Sequence, residues 1–331
     1  MRVHVLYTGG TIGMVESAAG LVPGADLAGW LDDLLRRTPW AERVAYSEFP
    51  RPIDSSNATP RDWQAIVDDL AGQRDAADAF VVLHGTDTMA YTSAALAFAL
   101  TGFGRPVVVT GAQYPFSVAG SDAAANVLGA LQAATSGRAD GVTLFFGHHL
   151  LPGARAAKVS TWAFSGFESA GTAPLAVAGA PWRWNPAPPP GRGWPDPRPY
   201  GRHDVVVLDL CPGLTAARLG HLLEPRPEAV ILRAFGVGNA PTDEPGLVGV
   251  IRDTVTAGVP VIVCSQCFEA QILLGRYAAG GALAAAGAVG AAGMTLEAAY
   301  AKTVFLLSQG LDGRAVGEWI GQNLAGELTE E

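Results

Sequence analysis

Residues 3–8 read VHVLYT, and similar apolar runs recur at 79–85 (AFVVLHG), 106–112 (PVVVTGA) and 141–147 (GVTLFFG). The runs are continuous rather than alternating, which predicts strands buried on both faces of a parallel sheet. Helical patterns lie between them. TPRDWQAIVDDLAG begins with Thr59 as N-cap, Pro60 at the first helical position and Asp62 in the first turn, followed by apolar residues at helical spacing. TSAALAFAL at 92–100 and SDAAANVLGALQAA at 121–134 read alike, the second capped by Ser121 or Asp122. From 184 to 202 proline and glycine crowd the chain and exclude helix and central strand, which marks a linker. Strand runs then resume at 205–210, 229–236 and 259–265, with a helix near 247–257 and a short helix and turn in the Ala/Gly run 277–293. The pattern predicts an α/β protein of two domains. The larger, residues 1–183, has a mainly parallel sheet flanked by helices; the smaller spans 203–331.

Composition narrows the partners. Among 331 residues, 49% are hydrophobic and the net charge is −9, against nucleic acid or an anionic membrane surface, either of which needs a basic face. No apolar stretch has the length of a membrane span and no cleavable leader pattern opens the chain, so a cytoplasmic protein acting on a small molecule is expected. Three cysteines make no disulfide framework. Cys264 and Cys267 in CSQC lack the further ligands of a zinc site, and the adjacent His148 and His149 lack the i, i+4 spacing of a helical metal pair, so no metal is expected.

The chemistry concentrates where ligands bind open α/β sheets, at the carboxyl ends of the strands. Those ends read TGGTIG, HGTDT, TGAQ and, near Ile53, DSSN. Gly9 and Gly10 permit a sharp turn that brings amide N–H groups close to a ligand and presents Thr11. TGGTIG has neither dinucleotide-fingerprint spacing nor the GK[ST] of a P-loop, and alone it fits a structural turn equally well. In HGTDT, Thr86 and Asp87 follow a buried strand, where an unpaired carboxylate is costly, although Asp87 or Thr88 could simply cap the next helix. Lys158 offers a partner: a lysine among small apolar residues, in a chain whose other basic residues are nearly all arginine.

These segments, with DSSNATPRDW, VVLHGTDTMAYTSAAL, ILRAFGVGNAP and QNLAGELT, resemble the bacterial L-asparaginases, most closely the cytoplasmic type I branch, over nearly the whole chain. The resemblance implies hydrolysis of L-asparagine to L-aspartate and ammonia, without cofactor, by a homodimer or homotetramer. It implies Thr11 as nucleophile and Thr86, Asp87 and Lys158 as the proton-transfer group. Asp54, Ser55, Ser56 and Asp87 would hold the α-amino and α-carboxylate groups, with Gly10, Gly85, Thr86 and Ala112 around the amide. A threonine nucleophile needs an adjacent base, and an oxyanion needs fixed N–H donors. Two departures stand out. The family's loop after TGGTIG carries a tyrosine that closes over the first threonine; here that position is Leu21, and no tyrosine lies between Tyr7 and Tyr46. The family's effector site matches Arg233 and Cys267, but the threonine preceding the lysine is Ala157. Glutamine or a D-amino acid amide as substrate, or an amino-acid-binding protein of reduced turnover, are the alternatives.

Overall fold

The computed structural model describes residues 1–18 and 20–328. Thr329, which ends QNLAGELT, and the last two residues of the expected C-terminal domain lie outside them. The chain divides into two compact units, residues 1–188 with 193–195, and residues 189–192 with 196–331.

In the first unit the strands are β1 Val3–Gly9, β2 Met14–Ser17, β3 Gly20–Pro23, β4 Val44–Ile53, β5 Ala79–Leu83, β6 Val107–Thr110, β7 Val142–Phe146, β8 His149–Pro152, β9 Ala156–Lys158, β10 Phe167–Ser169, β11 Ala176–Val177 and β12 Arg183–Trp184. The helices are α1 Leu27–Leu35, α2 Pro60–Gly72, α3 Met89–Ala99 and α4 Ala123–Ala134. An eight-stranded sheet runs β12-β11-β8-β7-β6-β5-β1-β4, parallel from β4 through β7. Successive residues of its central strands serve opposite faces, and both faces are covered. Val5, Val81 and Val108 join one core and Leu6, Val82 and Val109 the other, which is why these strands read as unbroken apolar runs.

Three features add to or qualify the sequence reading. The strand β4 carries Pro50 and Pro52, residues that argue against a central strand; it stands at the sheet edge, where missing N–H donors cost little. After β7 the sheet turns antiparallel through Gly147 and His148, both at positive φ (52° and 74°), the geometry of a tight two-residue hairpin. His148 is therefore a turn residue. The Pro/Gly-rich stretch is not a detached linker either. Trp184 pairs in β12, the Trp194 N–H donates to Thr101 Oγ1 at 3.0 Å, and the Arg192 N–H donates to the Asn323 carbonyl at 3.0 Å. Proline bars regular ladders but not packing against neighbours.

The second unit holds β13 Val205–Asp209, α5 Ala216–Leu222, β14 Ala229–Ala234, α6 Leu247–Thr256, β15 Val261–Ser265, α7 Ala278–Ala285, β16 Val289–Gly290, α8 Leu296–Ser308 and α9 Gly313–Ile320. Its four strands form a parallel sheet in sequence order. The smaller α/β architecture read from the C-terminal sequence is thus the one observed. Among the described residues no helix is long and apolar enough to cross a membrane.

Candidate active site

Four neighbouring strands, β4, β1, β5 and β6, end at the same edge of the sheet, in register at Ile53 with Gly9, Tyr7 with Leu83, and Leu83 with Thr110. The turns that follow them are the hydroxyl- and glycine-rich segments. Gly9 and Gly10 have φ of +133° and +96°, and the turns pack backbone to backbone there. A methyl on Gly10 would overlap the Gly85 backbone, and one on Gly85 would reach Ser55 Oγ at 2.5 Å. The absent side chains let the turns bearing Thr11, Thr86 and Ser55 converge.

Thr11 opens the 3₁₀ turn Thr11–Gly13 and is partly exposed, whereas Thr86 is buried at 6% exposure. Lys158 ends β9, and its ammonium donates to Thr86 Oγ1 at 2.9 Å and to Asp87 Oδ1 at 2.8 Å. Residues 71 and 72 positions apart thus meet in one cluster. The lysine side chain is 16% exposed and that of Asp87 is 62% exposed. An ion pair so open contributes only about 0–1 kcal/mol, too little for a stabilising device. Its chemical capacity is larger: an ammonium on Thr86 Oγ1 stabilises negative charge there and leaves the hydroxyl proton free to be given elsewhere. The capping alternative for HGTDT does not hold. Thr88 occupies the N-cap of α3 without a side-chain cap and donates instead to the Ser55 carbonyl at 2.8 Å.

Asp54, Ser55 and Ser56 follow β4. Asp54 Oδ1 accepts the Ser56 N–H and Oδ2 accepts the Asn57 amide, each at 3.1 Å; Ser56 is exposed and Ser55 buried. Ala112, 1% exposed, lies in the turn after β6. Asp122, expected to cap α4, makes no cap bond and reaches back to that turn, while Ser121 Oγ accepts the Ala123 N–H at 3.1 Å. Sequence reading also passed over His84, a buried ring bonded through Nδ1 to the Gly85 carbonyl at 2.8 Å and through Nε2 to Thr92 Oγ1 at 3.1 Å. Its place in HGTDT, directly before the turn, was the available signal.

Leu21 stands on β3 opposite Glu16, in the β2–β3 hairpin, and is 46% exposed. The Tyr7 hydroxyl is buried beneath Gly13 without a hydrogen-bond partner among the described residues, and burial, with Glu48 nearby, pushes its pKa up to about 12. Tyr46 donates to Glu48 Oε2 at 2.9 Å. In the second unit Arg233 is held by Asp209 Oδ1 at 3.0 Å and by the Gln266 carbonyl at 3.3 Å; Cys267 is exposed beyond β15. Cys264 lies within β15, where burial drives its thiol up to about 12.

Two other clusters resemble catalytic triads and fail on geometry. Ser47 Oγ and Asp69 Oδ1 both meet the same nitrogen of His4, Nε2, at 2.9 and 3.1 Å, whereas a relay uses opposite nitrogens. His203 does bridge Glu228 and Ser308, but the Ser308 hydroxyl is committed to the Val304 carbonyl at 2.7 Å.

Comparison with known proteins follows the same lines. The family description "Asparaginase, N-terminal" matches residues 2–189, and "Glutaminase/Asparaginase C-terminal domain" matches 204–320. The chain is 39% identical to L-asparaginase 1 of Escherichia coli K12 over 336 residues, 99% of this chain and 98% of the other. The crystal structure of L-asparaginase I from Vibrio cholerae matches with TM-score 0.88 and 36% identity, covering 99% of both chains. The L-asparaginase of Thermococcus kodakarensis matches with TM-score 0.88 and 29% identity over the full length of both.

Proposed function

Because this chain belongs to the asparaginase family, we propose that it is an amidohydrolase that converts L-asparagine to L-aspartate and ammonia, with Thr11 as nucleophile. The observation that carries the mechanism is the Lys158 ammonium held between Thr86 Oγ1 and Asp87 Oδ1 at 2.9 and 2.8 Å. Thr11 Oγ attacks the side-chain amide carbon and the carbonyl electron pair moves onto oxygen. N–H groups of the glycine turns then stabilise that oxyanion. The Thr11 proton passes to Thr86 Oγ1 as the Thr86 hydroxyl proton is given on toward the amide nitrogen, and the Lys158 ammonium stabilises the charge that builds on Thr86 Oγ1. Return of a proton to the amide nitrogen releases ammonia and leaves an aspartyl ester on Thr11, which water hydrolyses. Asp54, Ser55, Ser56 and Asp87 hold the α-amino and α-carboxylate groups, and the turns at Gly10, Gly85 and Ala112 enclose the amide. The reaction needs no cofactor.

One observation keeps a second reading open, an amino-acid-binding protein of low turnover: the exposed Leu21 offers no phenol to Thr11. Ammonia release from L-asparagine, L-glutamine and D-asparagine separates the readings. L-asparagine is expected to be the best substrate. Thr11→Ala should lower kcat by about 10³-fold or more, and Lys158→Met by about 10²–10⁴-fold. Leu21→Tyr should raise kcat; binding of L-aspartate without turnover in the unaltered protein would favour the second reading. We further propose a cytoplasmic homodimer or homotetramer. An asparagine effector at Arg233 and Cys267 is disfavoured, since Asp209 engages the guanidinium and Ala157 lacks the hydroxyl.

A further inference from the structure

We propose that Gln113 and Asp122 are positioning residues for the proton-transfer lysine: Asp122 fixes the turn after β6, and the Gln113 amide ties that turn to the segment after Lys158. The proposal rests on the reading of Lys158 given above.

The turn is held from both sides. Asp122, 6% exposed, accepts the Gln113 N–H at 3.0 Å on each carboxylate oxygen, the Tyr114 N–H at 3.2 Å and the Asn126 amide at 2.9 Å. Asn126 also donates to the Gly111 carbonyl at 2.9 Å and accepts the Gly147 N–H at 3.1 Å. Ala112 is thus clamped between a pinned carbonyl at 111 and pinned N–H groups at 113 and 114. A buried carboxylate is costly to hold on N–H donors alone, and a loop that merely connected β6 to α4 would not need one.

From this anchored backbone the Gln113 side chain reaches the segment that follows β9. Its Nε2 has two hydrogens, and both are used: on the Ala163 carbonyl at 3.0 Å and the Ser160 carbonyl at 3.3 Å. The segment is folded back by Val159 N–H and Ser160 N–H on the Gly166 carbonyl at 2.9 and 3.3 Å. Gly166 lies so close to the Gln113 amide that a methyl there would meet Nε2 at 2.6 Å. Lys158 immediately precedes the segment and reaches Thr86 and Asp87 with a flexible side chain. Its backbone, paired opposite Phe167 at the end of the β9–β10 ladder, decides whether that reach closes, and Gln113 braces the loop that joins those two strands from the opposite turn. A displacement near 1 Å at a reacting group can cost about 10²-fold in rate.

Gln113→Met keeps the length and removes both donors; Asp122→Asn keeps the shape and removes the charge. For both, kcat and KM for L-asparagine are measured beside the unaltered protein, with melting temperature and the labelling rate of Lys158 by an amine-reactive reagent read by mass spectrometry. The chain has two lysines and Lys302 is fully buried, so side-chain labelling reports Lys158. We expect Gln113→Met to lower kcat 10- to 100-fold with KM within about threefold, and to change the labelling rate at least threefold. Unchanged labelling and kcat with only a lowered melting temperature overturns the proposal, leaving Gln113 a packing residue. Absence of ammonia release from the unaltered protein overturns the functional reading instead, and labelling still decides whether Gln113 positions Lys158. Where Gln113→Met does not fold, the same measurements on Asp122→Asn decide between positioning and packing.

Discussion

At the residue scale His84 joins the candidate site to stability. Its Nδ1–H faces the Gly85 carbonyl, so Nε2 takes the Thr92 hydroxyl proton, and the ring is neutral. Burial lowers its pKa below the ordinary 6.5, outweighing the Gly85 carbonyl and Asp62, which favour the charged form. The sign follows from linkage. Below pH 6.5 the unfolded chain binds a proton here that the folded chain refuses, so His84 makes stability fall on acidification. Urea unfolding at pH 7 and pH 5 should show the unaltered protein losing more stability than His84→Gln over that interval. Equal losses would mean that His84 protonates as easily in the folded state. The same scale separates what the sequence could reveal. Thr11, Thr86 and Lys158 stood out as reactive types at strand ends. Gln113 did not, since its partners lie 47 and 50 residues further along and nothing local signals them.

At the element scale, continuous apolar runs announced β1, β5, β6 and β7 because both sheet faces are dry. Edge elements were less legible: β4 holds prolines that only an edge tolerates, and β11 and β12 are two residues each. The helix α8 hid a different feature. Lys302, within an apolar stretch, is fully buried and donates to Glu327 Oε1 and the Gln322 carbonyl, each at 2.6 Å, and to the Ile320 carbonyl at 2.8 Å. Glu327 in turn accepts the Leu324 and Ala325 N–H groups at 2.9 and 2.7 Å, so one ion pair fastens the C-terminal segment to α8. Burial drives the lysine pKa down while Glu327 opposes it. Lys302→Met leaves a buried carboxylate without its cation and should cost about 3–5 kcal/mol. Adding Glu327→Gln removes the second charge but keeps an oxygen for the two N–H groups, so the double variant should be more stable than the sum of the single losses. Additive losses in denaturant unfolding would show that the pair is not coupled.

At the scale of the whole molecule, the alternation of strands and helices disclosed two α/β units, and within the Pro/Gly-rich stretch between them residues 189–192 group with the second unit and 193–195 with the first. Every proposed catalytic and substrate-binding residue, from Gly10 to Lys158, belongs to the first unit, whereas Arg233 and Cys267 belong to the second. That division makes the location of ligand binding testable without turnover. L-Aspartate, the proposed product, stabilises whichever segments hold it, because a ligand that binds the native state lowers the population of locally opened forms. Hydrogen exchange across the chain, with and without saturating L-aspartate, should show slowed exchange at residues 9–13, 54–57, 84–88 and 111–114. Little change is expected around 233 and 264–267, where Asp209 already occupies the guanidinium that an amino-acid carboxylate would need. Protection centred on Arg233 with none at the four strand-end turns would move the amino-acid site to the second unit, and with it the role assigned to Thr11.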